Sequence, residues 1–562
     1  MLRGLRFLAA VGLVSVITLG FGLRLYRPAA DPPYWPYVYN TDEGHYSYNT
    51  RDKIKYGRWF VDEAKYALIT PVFNLVQYAV AVALPEQTGI VRYRAVSILA
   101  GILFCVALGF LFEPGWSAWT AVALGSISFM GVVHSRMGIP EMTLTLLLLV
   151  TALLAVESEK RRSLVLYVIT GIAAVACAAT KLTGVLIFPV LLTIPALCGA
   201  MRGHRLRYFW GVGAGVLLGG LALSLIVIPH YADWLKMLSQ ATSFARDSVE
   251  REPLGWLRAL SRFLLSPAMQ MMPILWPATL CWSILVFLPR LKKGENDFAE
   301  TLLFLWLSAG TVMFGLSSYQ PARWQLLIFP PVIALGLKFL FQTTPRAMTA
   351  ALVLAVTLSA TFSLVYGGGL LKMETDLQPG FGLFSDVVTA ALAGAAFVAG
   401  LAAAKIANLG WKTGVVCGAL LLEIGLQTML QGVYMKPSYA RESQWATCSR
   451  GVESLRRGEN DLFAGSVVQD LSLRADIRAL PTFYVIDESR LNDGYVRDFF
   501  RRHNASPDYF LLLDAERPLW IEKAPLFVSS LQPVAACRLL LGGFREPREL
   551  YVYRIRSHDW LK

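Results

Sequence analysis

Long apolar runs separated by short polar stretches dominate the first 435 residues of the chain. A transmembrane helix needs about 20 apolar residues to cross the hydrocarbon layer, and thirteen runs meet or approach that length. They lie at about 7–25, 95–112, 117–133, 142–156, 164–180, 183–200, 209–229, 267–289, 299–317, 325–341, 348–366, 385–404 and 413–432. The pattern therefore predicts an α-helical polytopic membrane protein with about thirteen transmembrane helices.

The basic residues predict the orientation of these helices, because cytoplasmic loops are enriched in Lys and Arg. With a cytoplasmic N-terminus, the basic loops on the inner side contain residues 159–162, 202–207, 290–293, Arg346 and 405–412. A further apolar stretch at about 67–85 would reverse every later loop if it crossed the membrane. We therefore expect it to lie on the outer surface or to re-enter from it. The prediction is a multi-pass protein of the inner (plasma) membrane whose C-terminal domain is periplasmic or extracellular.

The pattern changes after about residue 435, where charged and apolar residues become mixed. Short runs predict strands at 466–469, 482–486, 509–513, 526–529 and 550–555, and helical stretches at 453–457 and 493–502. We divide the chain into a transmembrane domain, residues 1–435 with a long outer loop at 26–94, and a soluble extracytoplasmic α/β domain, residues 436–562. Cys448 and Cys537 would share an oxidising compartment and could form a disulfide; two buried thiols are an equal alternative.

Composition agrees with a membrane protein. The chain is 55% hydrophobic and 16% charged, with a mean hydropathy of +0.49, whereas soluble proteins are about 25% charged. These values exclude a soluble multidomain enzyme and a disordered chain. The net charge of +13 would suggest nucleic acid for a soluble protein, but here it follows from the basic loops, so no nucleic-acid partner is expected.

The first outer loop carries two adjacent acids, Asp42 and Glu43, followed by His45. A solvated acidic loop is one explanation of this pair. Alternatively, two neighbouring carboxylates can divide the work of a reaction, since one can accept a proton while the other orients a partner or holds a metal. Ionisable groups beside the membrane are candidates for function.

Three further outer loops contribute isolated charges. Arg136 and Glu141 flank a short loop, Lys181 lies at a corner between two spans, and Arg323 follows Tyr319 in the last of these loops. Each charge alone could belong to a salt bridge, a snorkelling side chain or an interfacial anchor. Together the cations oppose the charge bias of the other loops, and a lipid-linked phosphate is an anionic partner that guanidinium and ammonium groups suit.

Taken in order, these residues resemble the GT-C glycosyltransferases, in the branch that contains the protein O-mannosyltransferases and the bacterial aminoarabinose transferases. The resemblance rests on Asn40-Thr41-Asp42-Glu43-Gly44-His45-Tyr46, the stretch from Pro71, Arg92-Tyr93-Arg94, Ser135-Arg136, Pro140-Glu141, Thr180-Lys181, Arg323 before Pro330-Pro331, and Leu550-Tyr551-Val552-Tyr553-Arg554. It covers most of the chain in short motifs. A WWDYG-like motif is missing after the spans, which argues against an oligosaccharyltransferase.

The resemblance implies transfer of a sugar from a polyprenyl-phosphate donor on the extracytoplasmic face, by a single displacement that would invert the anomeric centre. Asp42 would be the general base and Glu43 its neighbour at the acceptor or donor. The donor phosphate would be held by Arg136, Lys181 and Arg323. The acceptor, a protein, a lipid or a cell-wall glycan, stays open.

The remaining candidates have less specific roles. Glu141, His45 and Tyr319 would contact substrate. A divalent ion such as Mg, Mn or Zn could bind Asp42, Glu43 and Glu141, although many relatives have Asp at the position of Glu141; the carboxylates are hard oxygen ligands that suit such ions.

Three alternative functions remain open from the sequence. A transporter or flippase of lipid-linked sugars would also need outer cations, but transporters usually carry charges near the middle of their spans or in broken helices. Here the spans are almost free of charge, with Glu423 as the main exception. A lipid-linked glycan polymerase or ligase and a non-catalytic membrane scaffold are the others.

Overall fold

The computed structural model describes residues 2–32, 42–62, 64–87, 89–201, 203–247, 255–257, 259–260, 263–264, 272, 274–317, 322–342, 411–432, 443–465, 467–482, 491–502, 504–539 and 548–556. Two of the predicted spans, 348–366 and 385–404, lie outside these residues, and so does Tyr319.

Helices make up most of the described residues that precede residue 435. They are α1 Leu2–Leu25, α2 Asp42–Tyr56, α3 Pro71–Ala83, α4 Ile90–Gly109, α5 Trp116–Ile127, α6 Phe129–Ser135, α7 Glu141–Arg161, α8 Leu164–Thr180, α9 Ile187–Leu197, α10 Arg205–Val227, α11 Tyr231–Asp247, α12 Leu275–Trp282, α13 Leu288–Lys293, α14 Phe298–Gly315, α15 Ala322–Gln325, α16 Phe329–Gln342 and α17 Trp411–Leu430. Short 3₁₀ turns at Tyr66–Leu68, Leu182–Leu186, Gly199–Met201, Ile228–His230 and Leu326–Ile328, and a π-helical turn at Ser283–Phe287, connect several of them.

Six helices in the described part of the chain are long and apolar enough to cross a membrane. They are Ile90–Gly109, Glu141–Arg161, Arg205–Ser239, Phe298–Gly315, Arg323–Gln342 and Thr413–Leu430, and helices α5 and α6 make a seventh if the bent pair is one span. The protein is therefore a multi-pass membrane protein, as the sequence predicts. The exact number of thirteen spans stays a prediction.

The bend between α5 and α6, 59°, occurs at Ser128. The hydroxyl of Ser128 accepts the N–H of Gly131 at 3.2 Å. On the other side of the bend, Arg24 of α1 donates to the carbonyl oxygens of Gly125, at 3.1 Å, and Ser126. These bonds satisfy backbone groups that the break would otherwise leave without partners in an apolar surrounding.

Helix α3 corresponds to the apolar segment that the sequence places outside the membrane core. Its 13 residues extend only about 20 Å at 1.5 Å per residue, which is less than the hydrocarbon thickness of about 30 Å. Pro71 begins the helix, where its missing N–H costs no hydrogen bond. The buried side chain of Gln77 donates to Ser47 Oγ at 2.8 Å and to the carbonyl of Tyr93 at 2.9 Å, so α3 packs between α2 and α4.

The intramembrane acid that stands out in the sequence, Glu423 on α17, caps another helix. Its Oε2 accepts the N–H groups of Ile274, at 2.8 Å, and Leu275, at 3.3 Å, at the start of α12. Its Oε1 accepts Gln427 Nε2 at 3.0 Å, and Gln427 Oε1 accepts the N–H of Phe129 at the start of α6 at 2.9 Å. One face of α17 thus supplies acceptors to two helix N-termini, whose first N–H groups have no partner in their own helix.

The C-terminal region contains a five-stranded mixed sheet flanked by helices. The elements are α18 Gln444–Ser454, β1 Leu462–Gly465, α19 Val468–Ser472, β2 Arg478–Pro481, α20 Asp493–Arg502, β3 Tyr509–Leu513, α21 Arg517–Lys523, α22 Pro525–Ser529, β4 Leu531–Leu539 and β5 Arg548–Ile555. The strand order is β2-β1-β3-β5-β4, with β1 parallel to β2 and β3, and β5 antiparallel to β3 and β4. A disulfide between Cys448 and Cys537 joins α18 to β4.

Several elements predicted for this region agree with the structure, and two predicted strands are wrong. The strand 509–513 and the helix 493–502 occur as predicted. Residues 468–469 of the predicted strand 466–469 lie instead in helix α19, and the predicted strand 526–529 lies in helix α22, because a short apolar run has no period that separates a strand from a buried helical turn. Most of the predicted strand 482–486 lies outside the described residues.

Two large hydrophobic clusters fill the molecule. One is formed by the helices before residue 435, and the other by the C-terminal sheet and its helices. The second cluster also includes Tyr48, Ala64 and Tyr66 from the first outer segment. The polar helix α2 therefore lies at the junction of the two clusters.

Candidate active site

Helix α2 presents the two adjacent acids to different surroundings. The sequence predicts an outer loop here, whereas Asp42 and Glu43 form the first turn of a 15-residue helix. Carboxylates in the first turn interact favourably with the helix dipole. Successive side chains of a helix point about 100° apart, and residues four apart share a face. Asp42 therefore shares its face with Tyr46, while Glu43 turns away from it.

Asp42 belongs to a cluster of two acids and two cations. Arg323 forms an ion pair with Asp42, and its Nε lies 3.1 Å from Glu141 Oε1. Lys181 forms an ion pair with the same Glu141 oxygen. Glu141 is buried, with 1% of its side chain exposed, whereas Asp42 retains 21%. We call Asp42, Glu141, Lys181 and Arg323 the four-charge cluster.

Four separate elements bring these charges together at their ends. Glu141 is the first residue of α7 and directly follows Pro140. Lys181 follows the last residue of α8 in an extended conformation, with φ −162° and ψ 144°, before the next 3₁₀ turn. Arg323 lies in the short helix α15, which a 3₁₀ turn at Leu326–Ile328 connects to α16. Because each charge comes from a different element, its position depends on the packing of the whole bundle.

An aromatic ring that the sequence does not single out lies beside this cluster. Lys181 Nζ is 5.2 Å from the ring centre of Tyr46, within the range of a cation–π contact. Tyr46 also packs edge-to-face on Phe73, with ring centres 6.4 Å apart. Burial raises the pKa of the Tyr46 phenol above its ordinary value, and it stays neutral. Its spacing of four residues from Asp42 is the one sequence signal that predicts this position.

Glu43 lies in a second, buried ion-pair network. Arg94 of α4 binds its carboxylate through two bonds, Nε to Oε1 at 2.7 Å and Nη2 to Oε2 at 2.6 Å. The N–H of Gly138 donates to Oε1 at 2.7 Å, and Arg474 of the C-terminal region donates to Oε2 at 3.2 Å. Burial alone would raise the pKa of Glu43, but the two guanidinium groups and this N–H hold it below its usual value.

Arg136, predicted as a phosphate ligand, has partners in the main chain. Its guanidinium donates to the carbonyl oxygens of Leu23, at 2.8 Å, Tyr26 and Arg27, at 2.7 Å, around the end of α1. These contacts hold the end of α1 against the α6–α7 turn. The main-chain carbonyls occupy this guanidinium, and its role at a phosphate stays a prediction.

His45 faces the C-terminal region. Its Nδ1 lies 3.4 Å from Nε2 of Gln469, and its ring lies against Tyr66 with centres 5.1 Å apart. The four-charge cluster has another imidazole nearby, that of His134 at the end of α6, whose Nδ1 contacts the carbonyl of Met130 at 2.9 Å. Contact of His45 with substrate stays a prediction.

The three acids proposed to bind a metal do not all meet at one point, although Asp42 and Glu141 both contact Arg323. Asp42 and Glu141 each contact cationic side chains, and Glu43 lies in the network of Arg94. Over the described ranges, no group of three His, Cys, Asp or Glu side chains is arranged to hold a metal ion. Binding of a divalent ion by these acids stays a prediction.

Comparison with known proteins gives a match in structure. No family model matches the chain, and no curated protein sequence matches it. Two crystal structures of ArnT from Cupriavidus metallidurans share its fold. The structure bound to undecaprenyl phosphate has a TM-score of 0.57 at 15% identity and covers 98% of this chain and 99% of that one. The apo structure has a TM-score of 0.59 at 15% identity, with 98% of both chains covered. The resemblance to the GT-C aminoarabinose transferases predicted from the sequence is thus confirmed at the level of the fold, which this chain shares with ArnT along nearly its whole length.

Proposed function

We propose that the protein is an integral-membrane glycosyltransferase of the GT-C type, which transfers a sugar from a polyprenyl-phosphate donor to an acceptor on the extracytoplasmic face. The observation that carries the proposal is the four-charge cluster: a partly exposed carboxylate, Asp42, is ion-paired with Arg323, and Arg323 shares the Glu141 carboxylate with a second cation, Lys181. Sugar transfer from a phosphate donor needs both a carboxylate and cations, since a base must activate the acceptor and cations must stabilise the departing phosphate.

The cations suit a phosphate leaving group. Lys181 and Arg323 come from different loops and retain 12% and 11% exposure of their side chains, so the surrounding medium is of low dielectric. Fixed cations in such surroundings stabilise developing negative charge more strongly than they would in water. Arg136 is the third proposed ligand, but its guanidinium bonds to main-chain carbonyls make it less available, so the proposal relies on the other two.

The charges of the cluster balance before the donor binds, because two carboxylates face two cations. An incoming phosphate would compete with Asp42 for Arg323 and with Glu141 for Lys181. Breaking the Asp42–Arg323 pair releases the Asp42 carboxylate for proton transfer. Donor binding would thus prepare the base, and the ion pair describes the enzyme without donor.

In the chemical step, the acceptor oxygen or nitrogen attacks the anomeric carbon as Asp42 takes its proton. The bond between that carbon and the phosphate oxygen breaks, and polyprenyl phosphate leaves with the bonding electron pair. A single displacement of this kind inverts the anomeric configuration. Proton transfer to a positioned base typically contributes about 10²–10⁴-fold to the rate.

The nature of the lipid carrier is supported by the fold neighbour, an ArnT structure that contains undecaprenyl phosphate. The sugar and the acceptor are not specified by this likeness. Glycan analysis of cells that lack the protein would identify both.

The test uses purified protein in lipid nanodiscs with a labelled polyprenyl-phosphate sugar and an extract of acceptors. We expect release of polyprenyl phosphate by the wild-type protein and loss of release in Asp42→Asn. Asp233→Asn is the matched control, since Asp233 pairs with Lys65 on the surface, with 41% of its side chain exposed. A protein that moves the donor across the bilayer without releasing polyprenyl phosphate would instead be a flippase.

A further inference from the structure

Helix α2, which carries Asp42, is held along its length by the C-terminal region. Tyr48 donates its hydroxyl to the carbonyl of Ala479 at 2.8 Å. Arg51 donates from Nε to the carbonyl of Ser472 at 3.1 Å and from Nη2 to the carbonyl of Ile477. The segment 469–479 therefore forms one side of the site region, although it lies more than 400 residues away in sequence.

The contact at the first turn of α2 is made by Asp470. Its Oδ1 accepts the N–H of Gly44 at 2.8 Å, and its side chain is fully buried. A Cβ atom on Gly44 would lie 2.5 Å from the carboxyl carbon of Asp470, so the close approach requires glycine. The other oxygen, Oδ2, is buried without a hydrogen-bond partner in the described part of the chain.

This bond acts as a helix cap supplied from another part of the chain. The N–H groups of the first turn have no acceptors in their own helix, and a side-chain oxygen that accepts one of them stabilises the start of the helix. Gly44 lies two residues after Asp42, so the bond fixes the turn from which the Asp42 carboxylate extends. Other residues of this turn also have contacts with distant parts of the chain: Glu43 with Arg94 and Arg474, Asp42 with Arg323, and His45 with Gln469.

Arg474 joins the cap to the Glu43 network. It donates from Nη1 to the carbonyl of Asp470 at 3.1 Å and from Nη2 to Glu43 Oε2 at 3.2 Å. Two consecutive residues in the first turn of α2 are therefore held by the C-terminal region. Glu43 is bound by Arg474, and Gly44 is bound by Asp470. Such a double attachment restricts both the translation and the rotation of the turn.

We propose that Asp470 is a positioning residue for the transfer reaction: by capping α2 at Gly44, it holds the Asp42 carboxylate where the acceptor proton is removed. The C-terminal region then contributes to catalysis by positioning the base, in addition to any role in selecting the acceptor. This inference rests on the glycosyltransferase function proposed above, and it assigns Asp470 no contact with substrate.

The cap needs an acceptor oxygen but no charge. Burial raises the pKa of Asp470 well above its ordinary value, Arg474 opposes that rise, and the nearby acids Glu43 and Asp42 add to it. A neutral carboxyl group can still accept the N–H of Gly44 through its carbonyl oxygen. Asn has the same shape and offers the same acceptor, so it should replace Asp470, whereas Ala offers none.

The experiment compares Asp470→Ala, Asp470→Asn and the control Asp476→Asn in full-length protein in nanodiscs. Asp476 pairs with Lys55 near the other end of α2, with 63% of its side chain exposed. For each variant, kcat per folded molecule, the Kd of the labelled donor and the melting temperature are measured. We expect Asp470→Ala to lower kcat at least tenfold with a donor Kd within twofold of wild type. Asp470→Asn should restore at least half of the wild-type kcat, and the control should match wild type.

A purely structural role would lower the yield and melting temperature of Asp470→Ala and leave kcat per folded molecule unchanged, and that result would overturn the inference. Equal losses of kcat in Asp470→Asn and Asp470→Ala would also overturn it. If Asp470→Ala does not fold, Asp470→Ser is compared with Asp470→Asn, since its oxygen cannot reach as far; equal kcat values contradict the proposal. A wild-type protein that releases no polyprenyl phosphate refutes the proposed function itself, which separates the two failures.

Discussion

Asp42 and Glu43 are neighbours in the chain, yet their carboxylates lie in two separate ion-pair networks. Asp42 contacts Arg323 at a partly exposed site, and Glu43 is fully buried between Arg94 and Arg474. The helical geometry of α2 explains the separation, because adjacent side chains leave a helix in different directions. One acid is therefore available to a substrate, and the other joins α2, α4 and the C-terminal region.

This separation predicts that one conservative substitution lowers activity and the other lowers stability. Asp42→Asn should lower kcat by about 10²–10⁴-fold with little change in melting temperature, because the Asp42 side chain is partly solvated. Glu43→Gln should destabilise the fold by about 3–5 kcal/mol, since it leaves buried guanidinium groups without their counter-charge. Turnover assays and thermal unfolding of both variants check this. A stable, inactive Glu43→Gln alongside an active Asp42→Asn would reverse the assignment of the base.

A second prediction concerns the donor phosphate. Arg323→Ala and Lys181→Ala should each weaken donor binding by about 10- to 100-fold, because a hydrogen bond to a charged group contributes about 1.5–3 kcal/mol. Asp42→Asn should bind donor at least as tightly as wild type, since it removes an anion that competes for Arg323. Binding is measured with a labelled polyprenyl-phosphate sugar.

Arg290→Ala is the control for these cation variants. Arg290 pairs with Glu300 at 3.0 Å, and 42% of its side chain is exposed, in a loop that the sequence places on the cytoplasmic side. Its loss should leave donor affinity unchanged. Equal weakening by all three substitutions would indicate a general loss of stability or of positive charge, and would remove Lys181 and Arg323 from the phosphate site.

The sequence predicts the membrane class and much of the candidate site because both depend on local signals. Long apolar runs identify spans, and isolated charges beside them identify Asp42, Glu141, Lys181 and Arg323. The structure brings these four together from four elements. Their assembly agrees with the predicted order of the spans, which would place these loops on one side of the membrane.

The residues that the sequence does not identify depend on contacts between distant parts of the chain. Arg94 appears in a motif, but its bond to Glu43 needs the packing of α4 on α2. Asp470 and Arg474 lie in an ordinary α/β region with no motif around them. Similarly, the short apolar stretches at 468–469 and 526–529 carry no information about the neighbours that make them helical, so tertiary packing decides their conformation.

A third prediction tests the role of Glu423 as a helix cap. Glu423→Leu should lower the melting temperature markedly, because it leaves two N–H groups of α12 without acceptors in an apolar region, at a cost of about 1–3 kcal/mol for each buried group. Glu423→Gln keeps an acceptor oxygen and should stay close to wild type. A transporter that used Glu423 as a proton or ion site would instead lose its activity in Glu423→Gln at unchanged stability.

The last prediction concerns Asp52, which is fully buried on α2. Its Oδ1 accepts Arg51 Nη1 at 2.9 Å, and its Oδ2 has no hydrogen-bond partner in the described residues. Burial raises the pKa of Asp52 to about 8, although Arg51 opposes the shift. In the unfolded chain an Asp titrates near about 3.9. Between about pH 4 and pH 8 the folded state thus keeps a proton that the unfolded state has lost, so this group's contribution to stability falls as the pH rises.

Asp52→Asn removes this proton linkage and keeps the size of the side chain. We expect the wild-type melting temperature to fall more than that of Asp52→Asn between pH 5 and about pH 8.5, with the two proteins closest at the acid end. Asp476→Asn is the control: Lys55 lowers the pKa of Asp476, so its contribution is lost only on acidification below about pH 4 and is constant in this window. Parallel curves for wild type and Asp52→Asn would mean that Asp52 is ionised in the folded protein, as the counter-ion of Arg51.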